Sequence, residues 1–421
     1  MKEHCDLLII NANELLTLSS NKPGPRRRKA MGELGIIYDG ALALREGRIV
    51  AVGSTSQVLG QFEKRNTPII DAMGKVVIPG FVDPHTHTIF AGSREEEFLM
   101  RVSGAPYLEI LKKGGGIYST VKATRQATDR ELLENGKRVL QHMFANGTTT
   151  VEVKSGYGLR TYDEIRILKV IKRLQGELPI EIIPTFLGAH AVAPEYNRRP
   201  TKYVELLIRE MIPEVARQGL ADFCDVFCED GAFDEDQSEA ILQAAKKHGM
   251  EPKLHVDEFG EGKGTEVAAK VRAVSADHLV HTEKKGAQKL ASRGVIGVIL
   301  PTTSLLLKSA RFAKARMLIK AGVPLALGTD FSPSTWIESM HFVVNIACLE
   351  LGLTPEEAIT AATMNAAEAL GLGNEIGSLT EGKRADALIL NIPNYRQLPY
   401  RFGANLVDQV VKRGLPLSQL S

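Results

Sequence analysis

The middle of the chain alternates two hydrophobic patterns. One is a short, near-continuous apolar run. Eight such runs occur: "VVIPGFVDPH" from Val76, "TTTVEV" from Thr148, "IEIIPTFL" from Ile180, "FCDVF" from Phe223, "PKLHV" from Pro252, "AVSADH" from Ala273, "VIGVIL" from Val295 and "PLALGTD" from Pro324. Unbroken apolarity suits parallel strands covered on both faces. The other pattern has the helical period. Leu132, Gly136, Val139, Leu140, Met143 and Phe144 form one such stripe, stopped by Asn146-Gly147. "TPEEAI" offers Thr354 as N-cap, Pro355 at the first helical position and Glu357 as capping-box partner. Eight strand–helix units within about 250 residues predict an α/β protein built as a (β/α)8 barrel.

The ends of the chain read differently. "GALALREGRIVAVG" (Gly40 to Gly53) has apolar runs around a Glu-Gly turn, as in a hairpin. "GSLTEGKRADALILNI" (Gly377 to Ile392) and "LVDQVVKRG" repeat that style. The expected organisation is one small discontinuous β-rich domain from residues 1–75 and 376–421, with the barrel over 76–375.

Composition changes this picture little. A formal charge of +2 gives no electrostatic case for nucleic acid or an anionic membrane. The compact basic run "RRRK" (Arg26 to Lys29) follows "NKPGP" and reads as a solvated loop. Cys5, Cys224, Cys228 and Cys348 form no CxxC pair, and a chain of 421 residues needs no disulfide staples. Cys224 and Cys228 share strand parity, but burial as small hydrophobes is preferred over a metal pair. No signal peptide is visible, and no apolar run reaches the ~18–20 residues of a membrane span. The expectation is a soluble, cytoplasmic protein acting on a small molecule.

Candidate chemistry collects where the strand candidates stop. A barrel of this kind keeps its reactive groups at the C-terminal ends of its strands. The first candidate ends in His85 and His87, two residues apart and so on one face. The second runs into "KSGYG", with Tyr157 between glycines. The third ends at His190, the fifth at His255, Asp257 and Glu258, the sixth at Asp277 and His278, and the eighth at Asp330. Singly, each is an ordinary structural residue. Together, imidazoles and a carboxylate at one barrel mouth suit a borderline-soft ion such as zinc or iron. The expected ligands are His85, His87, His255 and Asp330. Water held there would have its pKa lowered from ~15.7 toward ~7. Glu258 is the expected proton shuttle, with Asp257 as its competitor. His278 is expected to donate to a carbonyl oxygen as negative charge builds on it. Glu258, His278 and Asp330 are thus the candidate catalytic residues.

"GFVDPHTH", the histidines ending the fifth and sixth strands, and "GTD" resemble the amidohydrolase superfamily. That resemblance implies a (β/α)8 TIM barrel with a small β-sandwich drawn from both termini. Further segments narrow it: "FAGSREEEF" (Phe90 to Phe98), "GGGI" (Gly114 to Ile117), "EVKSGYGL" (Glu152 to Leu159), "TFLGAHAVAPEY" (Thr185 to Tyr196), "HVDEF" and "ADHL". They spread over essentially the whole barrel. They resemble the branch that hydrolyses the lactam C–N bond of 4-imidazolone-5-propanoate to N-formimidoyl-L-glutamate in histidine degradation. The resemblance implies that Arg94 binds the propionate as a bidentate pair. Tyr157 and His190 would hold the ring, with Glu258 also touching substrate. The loop "FSPSTW" would contact the new carboxylate through Ser332, Ser334, Thr335 and backbone N–H groups at the next helix start. That family more often reads Asn-Pro-Gly-Ser there; Ser332 and Ser334 replace the Asn and Gly. Its binuclear members carry a bridging lysine on a later strand than Lys154, and the fourth strand candidate stops at "FCED" without one. One divalent or trivalent ion, zinc or iron, is therefore expected. A related deaminase or cyclic-amide hydrolase would share the metal set without needing Arg94 and the Gly-Tyr-Gly loop. A non-catalytic binding barrel would not need ligands, shuttle and carbonyl donor together. The resemblance allows a homodimer, and no segment specifies its contact.

Overall fold

The computed structural model describes residues 2–19, 23–104 and 115–417. Gly114 of the "GGGI" segment lies outside them. The N-terminal part forms β1 (Leu7–Leu16), β2 (Ile36–Arg45), β3 (Arg48–Ser54), β4 (Ile69–Asp71) and β5 (Val76–Pro79). Eight short strands follow: β6 (Phe81–Asp83), β7 (Thr148–Lys154), β8 (Glu181–Ala189), β9 (Phe223–Cys228), β10 (Glu251–Val256), β11 (Ser275–His278), β12 (Ile296–Ile299) and β13 (Leu325–Leu327). The C-terminal part adds β14 (Ala387–Leu390), β15 (Val407–Lys412) and β16 (Leu415–Leu417).

Strands β6 to β13 pair in sequence order, every ladder parallel. A bridge between Thr86 and Phe331 closes the ring. There the His87 N–H donates to the Phe331 carbonyl at 2.7 Å, and the Asp330 N–H to the His85 carbonyl at 3.1 Å. The barrel's seam therefore runs through three of its candidate ligands. Helices cover the outside. The one at Asp129–Ala145 buries the expected stripe and is capped by a Thr128–Glu131 box. Thr354 and Glu357 form the expected box on Pro355–Ala362. Among the described residues no helix is long and apolar enough to cross a membrane.

Both termini join in one mixed sheet, ordered β16-β15-β14-β5-β1-β2-β3, with β4 beside β1. It encloses its own core of Leu7, Ile9, Leu42, Val77, Ile389 and Val411. The opposite faces of β5 and β14 offer Val76, Ile78, Leu388 and Leu390 to the barrel's core. This corrects the reading of the run from Val76 as a single strand. It divides at Gly80. The Gly80 N–H donates to Asp386 at 3.0 Å, in the terminal sheet, whereas the Phe81 N–H donates to Gly147 at 3.1 Å, beside β7. A Cβ on Gly80 would lie 2.2 Å from Thr149 Oγ1 and 2.8 Å from its Cβ, so the two sheets can meet only across a glycine. Gly80→Ala should cost about 1–3 kcal/mol through overpacking against a stiff β-branched neighbour. A lowered denaturant midpoint at unchanged slope would register it; an unmoved midpoint would show that the joint tolerates a side chain.

The basic run departs from its reading as a solvated loop at its first residue, while Arg28 and Lys29 are exposed. Arg26 is buried, and its guanidinium donates to the Leu18 carbonyl at 2.7 Å and the Ser19 carbonyl at 2.6 Å. Its backbone N–H and carbonyl pair with the Asn365 side chain, which also donates to Leu325 at 2.8 Å. The run fastens the N-terminal segment to the foot of β13.

Candidate active site

The strand ends bring the predicted ligands together. His85 Nε2 and His87 Nε2 lie 3.6 Å and 3.5 Å from Asp330 Oδ1. His255 Nε2 lies 3.4 Å from His87 Nε2. His85 Nε2 is buried without a hydrogen-bond partner. Bonds of ~2.1 Å at a tetrahedral angle separate donor atoms by about 3.4 Å. His85, His87 and Asp330 each offer an atom within 4.8 Å of the others, a set that could hold one ion, and His255 adjoins it at His87. The far nitrogens are fixed from behind: His85 Nδ1 lies 2.6 Å from Asp277 Oδ2, and His255 Nδ1 lies 3.1 Å from Asp225 Oδ1. A carboxylate there holds the proton on Nδ1 and turns the Nε2 lone pair inward. Burial, then Lys154 and the neighbouring imidazoles, keep His85 well below the usual histidine range. Burial and adjacent histidines do the same for His87. Neutral imidazole is the form that ligates. The Asp330 carboxyl is pushed up to about 6 by burial, against a 2.7 Å hydrogen bond from Thr303. His278 also comes close: His85, His255 and His278 each offer an atom within 4.8 Å of the others.

Backbone geometry separates Glu258 from Asp257. Asp257 has φ +54°, His278 φ +74° and Asp330 φ +51°, all in the left-handed region. At Asp257 this breaks the strand's alternation. Its carboxylate turns away and accepts from Thr282 Oγ1 at 2.6 Å and the Gly262 N–H at 3.4 Å. It lines a separate cleft of about 620 Å³ that also includes Glu229, Glu261 and Glu283. Glu258 instead faces the ligand cavity, about 310 Å³ in volume, with Oε2 3.6 Å from His278 Nε2. Burial, then Asp330 and Glu229, push the Glu258 carboxyl well above its usual range.

Arg94, Tyr157, His190, Ser332 and Ser334 line the same cavity. Arg94 precedes the helix Glu95–Val102, and its Nε donates to Thr120 Oγ1 at 2.9 Å. Tyr157 is buried, on a loop whose Gly156, Gly158 and Leu159 N–H groups all donate to Glu164 at 2.7–2.9 Å. His190 stacks on His87, centroids 4.9 Å apart, with Nδ1 3.2 Å from the Gly156 carbonyl. The loop after β13 differs from expectation. Ser332 and Thr335 exchange backbone hydrogen bonds at 3.0 and 3.1 Å, and Ser332 Oγ lies 3.1 Å from Ser334 Oγ. Thr335 is buried in that turn, and the next helix starts only at Met340, capped by Ser339. These N–H groups serve the loop itself, so the expected helix-start donors do not stand there.

Sequence reasoning missed what lies beneath. Lys154 is the last residue of β7, and its Nζ lies 2.7 Å from Asp225 Oδ2 and 2.7 Å from Glu152 Oε2. Lys253 Nζ lies 2.8 Å from Glu152 Oε1. Burial opposes the Lys154 charge, but Asp225, Glu152 and Asp277 outweigh it and hold its pKa above the usual lysine range. An ammonium so held is not a carboxylation site, which supports the single-ion reading. A signal was present: Lys253 precedes His255 by two, and Glu152 precedes Lys154 by two. Charges at inward parity inside apolar runs mark a polar layer.

Barrel, seam and donor cluster together define a hydrolase-type barrel with a histidine–aspartate centre able to hold a metal ion. The amidohydrolase family profile matches residues 76–415. The imidazolonepropionase of Geobacillus kaustophilus is 48% identical over 411 residues, 97% of each chain. That of Alkaliphilus metalliredigens is 47% identical over 410 residues, again 97% of each. Among solved structures, a zinc-bound adenosine deaminase from Xanthomonas campestris superposes with a TM-score of 0.73 at 22% identity, covering 99% of this chain and 93% of that one. The chain belongs to the amidohydrolase family and, within it, to the imidazolonepropionases.

Proposed function

We propose that this chain hydrolyses 4-imidazolone-5-propanoate to N-formimidoyl-L-glutamate, a step of histidine degradation. The observation that carries the reading is one cavity lined by His87, His255, Asp330 and Arg94 together. His85, His87, His255 and Asp330 would hold one ion, zinc or iron. When bound, such an ion acts as a Lewis acid and lowers the pKa of water. Arg94 pairs with the propionate and fixes the ring against Tyr157 and His190. As water adds to the ring carbonyl, Glu258 takes its proton. His278 donates to the oxygen that becomes negative. The C–N bond breaks, its electron pair goes to nitrogen, and Glu258 returns the proton there. Ser332 and Ser334, which line the cavity, then face the new carboxylate through hydroxyls, without the family's amide, while Thr335 is buried behind them in the turn. The four cysteines are unpaired, which supports a reducing, cytoplasmic setting. The domain division proposed is the terminal residues 1–75 and 376–421 against the barrel residues 76–375, with β5 crossing into the former.

Turnover of freshly generated imidazolone propionate tests the activity; a pure, metal-loaded chain that leaves it intact sinks the reading. Arg94→Ala should reduce kcat/KM by about 2–4 kcal/mol, as for truncating one side of a desolvated charge pair. Arg94→Lys should recover only part, since the fork is lost. Wild-type kinetics in Arg94→Ala would mean another group reads the propionate.

A further inference from the structure

Among the described residues Lys154 is the one lysine with Nζ within 4 Å of both carboxylates that back the ligand histidines. Its Nζ, fully buried, lies 2.7 Å from Asp225 Oδ2 and 3.9 Å from Asp277 Oδ2. The other Asp225 oxygen faces His255 Nδ1, and the same Asp277 oxygen faces His85 Nδ1. Asp277 Oδ1 has no hydrogen-bond partner, so that carboxylate is held by His85 and by the charges of Lys253 and Lys154. The Lys154 backbone N–H donates to the Thr86 carbonyl at 3.0 Å, between His85 and His87. Glu152 receives Nζ from one side, while Lys253 Nζ and Thr185 Oγ1 grip its other oxygen at 2.8 and 2.6 Å. The ammonium is thus immobilised by a frame that does not depend on the ligands.

We propose that Lys154 is a positioning residue, setting the orientation of His85 and His255 through Asp277 and Asp225. The proposal rests on the reading of these histidines as metal ligands. An imidazole in a barrel mouth can swing by tens of degrees unless its rear nitrogen is anchored. The anchor works only if it is itself fixed. Lys154 fixes two anchors with one charge.

The test uses the full chain. Lys154→Met leaves Glu152, Asp225 and Asp277 around a single ammonium, which costs stability. The paired variant Glu152→Gln/Lys154→Met removes one charge of each sign and keeps the balance. Two readouts are taken on protein with a wild-type circular dichroism spectrum: Zn2+ affinity by competition with a chromophoric chelator, and the visible absorption of the Co2+-loaded chain. The expected result is Zn2+ binding weakened roughly 10–100-fold, a shifted Co2+ band, and, at saturating Zn2+, lower kcat at unchanged KM. A purely structural role for Lys154 would lower the unfolding midpoint and leave affinity and band in place. Folded variants with wild-type affinity and band overturn the proposal. A wild-type chain that binds neither ion overturns the metal reading and this inference with it.

Discussion

Glu258→Gln is expected to lower kcat by about 10²–10⁴-fold while ion content and KM stay near wild type. Glutamine preserves size and hydrogen bonding but cannot carry a proton from water to nitrogen. The Glu258 backbone N–H donates to Glu229 at 2.8 Å, a contact that the substitution leaves intact. The main chain should therefore hold its course. The pH profile offers a second check. Burial, Asp330 and Glu229 raise the Glu258 pKa. Its ionised form, the one that accepts a proton, is lost as pH falls through that raised value. The acid limb of kcat/KM should therefore lie above the ordinary glutamate value of ~4.3 and vanish in Glu258→Gln. Normal turnover in Glu258→Gln beside a dead Asp257→Asn would move the shuttle to Asp257.

Stripping the ion should abolish turnover and leave the fold standing. Charged side chains fill the centre of the barrel. Those charges are paired with one another: Lys154 with Asp225 and Glu152, and Lys253 with Glu152. Without an ion, burial keeps His85 and His87 neutral, and the Asp330 carboxyl, which burial raises to about 6, keeps its hydrogen bond from Thr303. The lost binding energy still counts, about 2.7 kcal/mol for an ion present at 100 times its Kd. The melting temperature should fall by several degrees without loss of the transition. Elemental analysis should find about one ion per chain, and His255→Ala should lose it. His278→Ala should retain it and lose about 10²–10³-fold in kcat. Two ions per chain, or activity in a verified metal-free sample, contradicts the assignment. An empty site in His278→Ala makes His278 a ligand.

The barrel was legible because parallel strands buried on both faces read as apolar runs. Seven of the eight runs match one strand each. The cluster proposed as ligands was legible because His85 and His87, and the ends of β10 and β13, fall at strand termini. What escaped notice was local or buried. The division at Gly80 depends on how closely Thr149 approaches, a contact across about 70 residues of chain. The choice of Glu258 over Asp257 turns on one left-handed residue, which shifts parity by a step, and aspartate gives no warning because it also suits ordinary turns. The charged layer was absorbed into the hydrophobic average of its strands. Arg26 looked solvated because its acceptors, two backbone carbonyls, carry no sequence signature.

The union of β5 and β14 also sets an order of events at the ribosome. Val76–Pro79 pairs antiparallel with Ala387–Leu390, and one residue later the chain becomes the first barrel strand. A nascent chain that has extruded all eight barrel strands still lacks that partner. Its β5, paired with β1, presents an open edge on the other side. Closure of the terminal sheet along β5 then waits for Ala387–Leu390. Until they emerge, that edge is the surface most in need of a chaperone.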